Sequence, residues 1–375
     1  PASLHYQRPN PQADLSNTPF FVNASLQPWN ARSGKRRIAG ITSLGAGGTN
    51  AHLVLEEAPP RRSDVGGAGE PQLLVLSARS NKALDAASKN LANHLRADHQ
   101  QRLDDVAFTL INGRETFEHR RAIVATSAAS AATLLDENDA RQVFTGKAAR
   151  EPHSTVFLFP GGGAQYCGMG AELYAKFPEY RKAIDECLAV VQPELGVDLR
   201  SLMFAPPNTA EISNLKLAAP SLALPALFAT EYALVKLLAS WGVTPAAMIG
   251  HSAGEYAAAC VAGVLSMREA ISLVAMRGRL FEKLPRGAML SIPLPEAEAR
   301  KFLCDELSIA AVNGPTLCVA SGPVRAIAQL EQKLAAAEVE CTRVHIDVAA
   351  HSAMLEPILP EFERYCRKIA FQKPR

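Results

Sequence analysis

Gly250-His251-Ser252-Ala253-Gly254 constrains this chain more than any other stretch. It fits G-x-S-x-G, and its flanks suit the pattern. Residues 244–250, "TPAAMIG", are short and apolar and predict a buried strand. Residues 255–265, "EYAAACVAGVL", are small and apolar and predict a helix. Strand, sharp turn and helix form the context of a nucleophile elbow, in which the glycines let the backbone turn and the serine is pushed out above the sheet edge. The pattern alone leaves a second reading open, a small-residue turn packing a helix against a sheet.

Strand–loop–helix order recurs upstream. Residues 155–180, "TVFLFPGGGAQYCGMGAELYAKFPEY", predict a buried strand, a glycine-rich loop and a helix. Residues 219–242 predict a long helix that Gly242 ends. The repetition argues for a parallel, α/β-hydrolase-like sheet. From about 287 to 347 the rhythm changes to β-α-β-β-α-β: strands at 288–294, 307–313, 316–322 and 341–347, helices at 296–306 and 324–338. That order is ferredoxin-like. It implies a subdomain inserted into the hydrolase-like one, with the substrate cleft between them.

The remainder reads as two further domains, in keeping with 375 residues. Residues 1–58 hold irregular, proline-bearing chain, then a strand, a glycine turn and a second strand. Such a hairpin needs a sheet to pair with, expected in chain preceding this sequence. Both ends read as cut from a longer polypeptide. Residues 59–152 begin with a linker, "PPRRSDVGGAGEPQ", and continue as a small α/β unit: a strand at 73–80, helices at 81–98, 103–114 and 128–137, and a strand at 119–127. In the first helix Leu84, Ala87, Leu91 and Leu95 form the apolar stripe, with Asn81 as its cap.

Composition excludes several function classes. A net charge of +2 gives no reason to expect nucleic acid or an acidic membrane as partner. No uninterrupted apolar run reaches the length of a membrane span, and no signal-peptide pattern opens the chain. Seven cysteines, scattered and without C-x-x-C spacing, read as reduced, mostly buried thiols of a cytoplasmic protein, with no metal site.

A nucleophilic serine needs a base. His351 is the best candidate, since it lies where the inserted subdomain hands the chain back. His251 adjoins Ser252, but its side chain leaves the elbow in another direction and reads as structural. His345, on a predicted strand, reads as packed or superficial. No acidic third member is forced, and Asp347 is not assigned that role. The oxyanion donors are expected from the backbone N–H of Ala253 and of Gly162, each typically worth about 3 kcal/mol of barrier. Arg277 and Arg279 lie on a later predicted helix. Two readings of Arg277 stand open: an ordinary surface arginine, or, since it follows the apolar "ISLVAM", a guanidinium turned into the cleft, where a planar fork would grip a carboxylate.

Together "FPGGGAQYCGMG", "GHSAGEYAAACVAGVLS", "MRGRL" and "AAHSAMLEP" resemble, in order and spacing, the acyltransferase domain of modular polyketide synthases, related to malonyl-CoA:acyl-carrier-protein transacylases. The resemblance runs from about 154 to 375 (domain 153–375), with the last strand and helices missing beyond Arg375. It implies Ser252 as the acylated nucleophile, His351 as its base, Arg277 on the extender's free carboxylate, and Asn313, Ala350 and Gln165 in the substrate pocket. Acyl-CoA would be the donor and the phosphopantetheine of an acyl carrier protein the acceptor, with no tightly bound cofactor. Residues 59–152 look like the ketosynthase–acyltransferase linker. Residues 1–58 look like the C-terminal segment of a thiolase-like ketosynthase, whose catalytic histidine His52 matches. The ketosynthase cysteine and second histidine are absent, so this chain condenses nothing. The other ketosynthase and downstream domains would be partners, and the parent a homodimer through its ketosynthase. Relatives read F-P-G-Q-G where this loop has Gly162. Malonyl-selecting relatives usually carry H-A-F-H and methylmalonyl-selecting ones often Y-A-S-H; here residues 348–351 are V-A-A-H. Ala350 leaves room for a branch, while Ala253 is not the glutamine common in methylmalonyl types, so malonyl is favoured. A serine esterase or thioesterase, and a non-catalytic fragment, remain the other readings.

Overall fold

The computed structural model describes residues 2–12, 15–31, 35–59, 69–97, 101–137, 139–149, 154–344 and 346–375. The chain divides into two compact units, 1–150 and 151–375.

The first unit holds two separate sheets. Strands β1 (Ile38–Ser43) and β2 (Ala51–Glu56) form an antiparallel hairpin on either side of a glycine turn in which Gly47 and Gly48 have φ of 103° and 93°. The expected strand–turn–strand is there, and both strands are almost wholly exposed. The second sheet comprises β3 (Gln72–Ala78), β4 (His119–Ala125) and β5 (Val143–Lys147), antiparallel in that order. Helices α1 (Asn81–Ala97), α2 (Leu103–Asn112) and α3 (Ala128–Glu137) accompany it, around a core that includes Leu74, Leu95, Val106, Ile123 and Leu135. Ser80, not Asn81, caps α1: its Oγ accepts from the Ala83 N–H at 3.2 Å, while Asn81 Oδ1 sits 2.7 Å from His119 Nδ1. Strand β5 was not expected, because no turn signal in the sequence marks it strongly enough. The linker composition at 60–68 falls outside the described residues, as does His345.

In the second unit β6 (Val156–Phe159) and β7 (Ala247–Gly250) pair in parallel, Phe159 opposite Gly250. Between them run α4 (Ala171–Lys176), α5 (Pro178–Leu195), α6 (Leu199–Met203), α7 (Ala210–Leu217) and α8 (Pro220–Ser240). Helices α9 (Gly254–Val261) and α10 (Met267–Phe281) follow the elbow. The α8 helix is apolar nearly all round, as a helix at the centre of a core must be. By length and composition it would also pass as a membrane span, which corrects the sequence expectation; its most apolar window is 67% buried in the protein. Gly242 ends it as expected, at φ 80°, with the Val243 N–H on the Leu238 carbonyl and the Gly242 N–H on that of Ala239.

The inserted segment comprises β8 (Gly287–Ile292), α11 (Glu296–Ala299), β9 (Ser308–Gly314), β10 (Leu317–Pro323), α12 (Val324–Ala336) and β11 (Thr342–Val344). Its strands lie in the order β11-β8-β10-β9, antiparallel throughout, over their own core of Leu290, Ile292, Ile327 and Leu330. The helix expected to reach residue 306 is one turn of α11 and a short 3-10 turn. The chain leaves it to bring Leu307 against Gly322, where a Cβ would stand 2.6 Å from Leu307 Cδ2. The chain then returns to the first core through α13 (Leu359–Cys366). Only Cys187 and Cys318 are fully buried, four thiols are half-buried and Cys304 is exposed, so burial of the cysteines is less complete than expected.

Helix α10 lies directly on α8. A Cβ at Gly278 would meet the Pro220 carbonyl at 2.4 Å and Ser221 Cα at 2.7 Å, backbone atoms that cannot swing aside. Glycine inside an exposed helix is normally about 1 kcal/mol worse than alanine. Here the order reverses: Gly278→Ala is expected to lower stability by about 1–3 kcal/mol through forced separation of the helices, read as a reduced urea midpoint.

Candidate active site

The site stands at the carboxyl ends of β6 and β7. The His251 N–H donates to the Phe159 carbonyl at 2.8 Å, extending the parallel pairing by one bond into the turn. Three glycines are required there by close approach. A Cβ at Gly254 would lie 2.2 Å from the Phe159 carbonyl oxygen, one at Gly250 would lie 2.2 Å from the Glu255 nitrogen, and one at Gly161 would lie 2.7 Å from the His251 oxygen. Both glycines of G-x-S-x-G are thus fixed by packing. Ser252 between them has φ 52°, a left-handed conformation that holds about 1–3 kcal/mol of strain in a non-glycine residue.

His351 reaches this serine from the far end of the inserted subdomain. Its Nε2 lies 2.7 Å from Ser252 Oγ, in reach of the hydroxyl proton. Val348, Ala349 and Ala350 are buried just before it. Gly287 makes their path possible, since a Cβ there would lie 2.4 Å from Ala349 Cβ. His351 too has a left-handed backbone, at φ 58°. Burial, then the Arg277 charge, then His251 hold its imidazole below the ordinary value of 6.5. The ring is therefore neutral near pH 7, as a base must be. Among the described residues no carboxylate bonds to it.

Arg277 on α10 donates from Nη2 to Ser252 Oγ at 3.4 Å. Among the described residues it has no carboxylate partner, whereas Arg279 is paired with Glu194 at 2.7 Å. Gly162 and Ala253 line the same cavity as Ser252, and neither backbone N–H donates a hydrogen bond within the described residues. His251 turns away from Ser252, its Nε2 3.0 Å from Asn313 Oδ1; that oxygen only accepts, so the contact has Nε2 protonated.

These groups line a cavity of about 410 Å³. The inserted sheet walls its apolar side: Ala311, Val319 and Ser291 lie side by side across β9, β10 and β8, with Met289 and Ala350 beside them. Ser252, His351, Arg277, Gly162, Ala253, Asn313 and Ala350 are all brought together there. Gln165 is not. Its Oε1 accepts from the Gly163 N–H at 2.8 Å and its Nε2 donates to the Leu217 carbonyl at 3.4 Å, so it braces the glycine loop from behind. His52 lies in the other unit, on β2, its Nδ1 2.8 Å from Thr42 Oγ1. Two residues escaped the sequence reading: the rings of Phe281 and Tyr256, 5.0 and 5.5 Å from the Arg277 guanidinium carbon. Phe281 follows Arg277 by four residues on one helix, and that spacing was a usable signal.

Residues 156–375 match the family described as "Acyl transferase domain", and residues 72–135 match "CurL-like, PKS C-terminal". The whole chain is 38% identical over 390 residues to a phenolphthiocerol/phthiocerol polyketide synthase of Mycobacterium tuberculosis, covering 26% of that protein. It is 36% identical over 391 residues to the spectinabilin polyketide synthase system protein NorB of Streptomyces orinoci, again over the whole chain and 18% of the relative. The chain thus spans about a quarter or less of these relatives. Among solved structures, the acyl transferase domain of ZmaA superposes with a TM-score of 0.72 at 39% identity, over 81% of this chain and 70% of that one. The acyl transferase domain of SpnD, in complex with 2-(pent-4-yn-1-yl)malonyl, gives 0.73 at 38% identity, over 83% and 73%.

The lowered imidazole sets the pH dependence. Only neutral His351 accepts the serine proton, so acylation by a neutral ester such as p-nitrophenyl acetate should fall with acid through a midpoint below 6.5. Arg277→Gln removes one of the lowering causes and should move that midpoint upward. Both are read from the pH profile of the acylation rate.

Proposed function

The chain belongs to the acyl transferase domain family of polyketide synthases, and from that membership we propose that it moves an extender acyl group from CoA, through an ester on Ser252, to the phosphopantetheine thiol of an acyl carrier protein. The observation that carries the reading is a guanidinium with no carboxylate partner among the described residues, 3.4 Å from a serine that lies 2.7 Å from His351 Nε2. Without a protein carboxylate on it, Arg277 suits a substrate carboxylate. A hydrolase acting on plain esters has no use for that charge. That the SpnD domain is in complex with 2-(pent-4-yn-1-yl)malonyl, a substituted malonyl group, supports the same class of chemistry.

The donor's carboxylate sits on Arg277 and its thioester carbonyl points to the Gly162 and Ala253 N–H groups. His351 Nε2 takes the Ser252 proton as Oγ attacks the carbonyl carbon. The tetrahedral oxyanion is held by the two N–H groups. The C–S bond then breaks, and the CoA sulfur leaves with the proton from His351. The carrier thiol repeats the steps in reverse order, returning the serine hydroxyl. Malonyl is the favoured extender. Methylmalonyl is the second, because Ala350 leaves space beside the α-carbon, and one methyl is worth only about 1–3 kcal/mol of discrimination.

Gln165, outside the cavity, is assigned the bracing of the glycine loop, and His251–Asn313 the tie between elbow and inserted sheet. We read the inserted sheet as ferredoxin-like, residues 59–152 as the ketosynthase–acyltransferase linker and the β1–β2 segment as a ketosynthase tail. Neighbouring synthase domains are then partners.

Intact-protein mass spectrometry after brief mixing with malonyl-CoA, and separately with methylmalonyl-CoA, tests the proposal on the full-length polypeptide. A malonyl adduct that exceeds the methylmalonyl one and vanishes in Ser252→Ala is expected. Arg277→Gln should reduce malonyl acylation by roughly 100-fold, the effect of losing a charge-assisted bidentate contact. No adduct from either donor would sink the reading.

A further inference from the structure

Two cations that follow Arg277 in the chain are paired with carboxylates. On α10 Arg279 pairs with Glu194, and just beyond the helix Lys283 pairs with Glu361. Arg277 is held differently. Phe281, one turn along α10 and buried at the cavity wall, sits 5.0 Å from its guanidinium carbon, and Tyr256 of α9 sits 5.5 Å from it. Ring faces attract a cation through the π quadrupole. Phe281 does so with no acceptor atom, and Tyr256, whose hydroxyl also bonds to Arg277, does so without bringing a negative charge. An acidic partner would hold Arg277 as well, but it would fill the donor fork that a ligand carboxylate needs. Burial pushes the Tyr256 phenol up, so it supplies no competing anion near neutral pH.

We infer that Tyr256 and Phe281 are positioning residues that hold the Arg277 charge beside Ser252 without placing a carboxylate on its donor fork, and so favour acyl donors bearing a free carboxylate. This rests on the proposed carboxylate contact of Arg277. Among the described residues neither Tyr256 nor Phe281 is hydrogen-bonded to Ser252 or His351, so their removal acts through Arg277: carboxylate binding weakens, while attack by Ser252 on a neutral ester persists.

The test compares Phe281→Leu, Tyr256→Leu and Tyr256→Phe in the full-length protein, each checked for its unfolding midpoint. Ser252 acylation is measured with malonyl-CoA and with p-nitrophenyl acetate, which has no carboxylate. Each leucine variant should raise KM for malonyl-CoA roughly tenfold, with kcat and ester acylation retained. Tyr256→Phe, which keeps the ring and loses only the hydroxyl contact, should raise KM less than Tyr256→Leu does. Equal losses toward both donors, or an unchanged malonyl-CoA KM in both leucine variants, would overturn the inference. Arg277→Gln separates the two levels. If it too leaves the malonyl preference intact, the carboxylate contact fails and the inference with it. If it alone abolishes the preference, that contact stands and the role of the rings falls.

Discussion

One carbonyl organises the reactive end of this molecule. The oxygen of Phe159 closes β6, accepts the His251 N–H and lies in contact with the backbone of Gly254. Strand β7 ends at Gly250 and α9 begins at Gly254, on either side of this contact. Ser252 is caught between them in a left-handed turn. The strain is sustained because both neighbours are packed too closely for the chain to relax: any Cβ at position 250 or 254 would stand 2.2 Å from backbone. The price of a half-buried, rigidly held hydroxyl is therefore met by the parallel pairing behind it.

The same logic of close approach fixes the other two groups. Gly278 sets α10 against α8 and with it the position of Arg277. Gly287 lets the 348–350 segment slide under β8 and present His351. Nucleophile, base and cation come from three parts of the chain, and in each case a glycine beside the functional residue removes the side chain that would hold the elements apart. Loss of the His351–Ser252 contact would leave a strained serine without a base, and loss of Arg277 would raise the imidazole toward its ordinary value.

Much of this was legible in the sequence. The elbow declared itself because glycine spacing and apolar flanks agree, and the β-α-β-β-α-β order of the insert was readable because each strand is bounded by turn residues or charged helices. What escaped was local and contextual. Ser80 rather than Asn81 caps α1, because both residues are good caps and only the neighbouring His119 decides which is free. Helix α11 stops early for the sake of Leu307, a contact with a strand fifteen residues on. Gln165 was drawn toward the pocket by its place in the loop, yet Leu217 claims it from behind. The rings around Arg277 were invisible as a pair, since Tyr256 and Phe281 meet only through the packing of α9 on α10.

The separation of Ser252 from His351, 99 residues with a whole subdomain between them, has a meaning for the chain as it is made. Synthesis delivers the elbow first and the histidine only after the inserted sheet has emerged. Until that sheet has folded and returned the chain under β8, the nascent polypeptide carries a serine with no base and no walled cavity. On the roles proposed above, an unfinished copy holds the nucleophile without its base, so the order of synthesis keeps the two apart until the insert has been made.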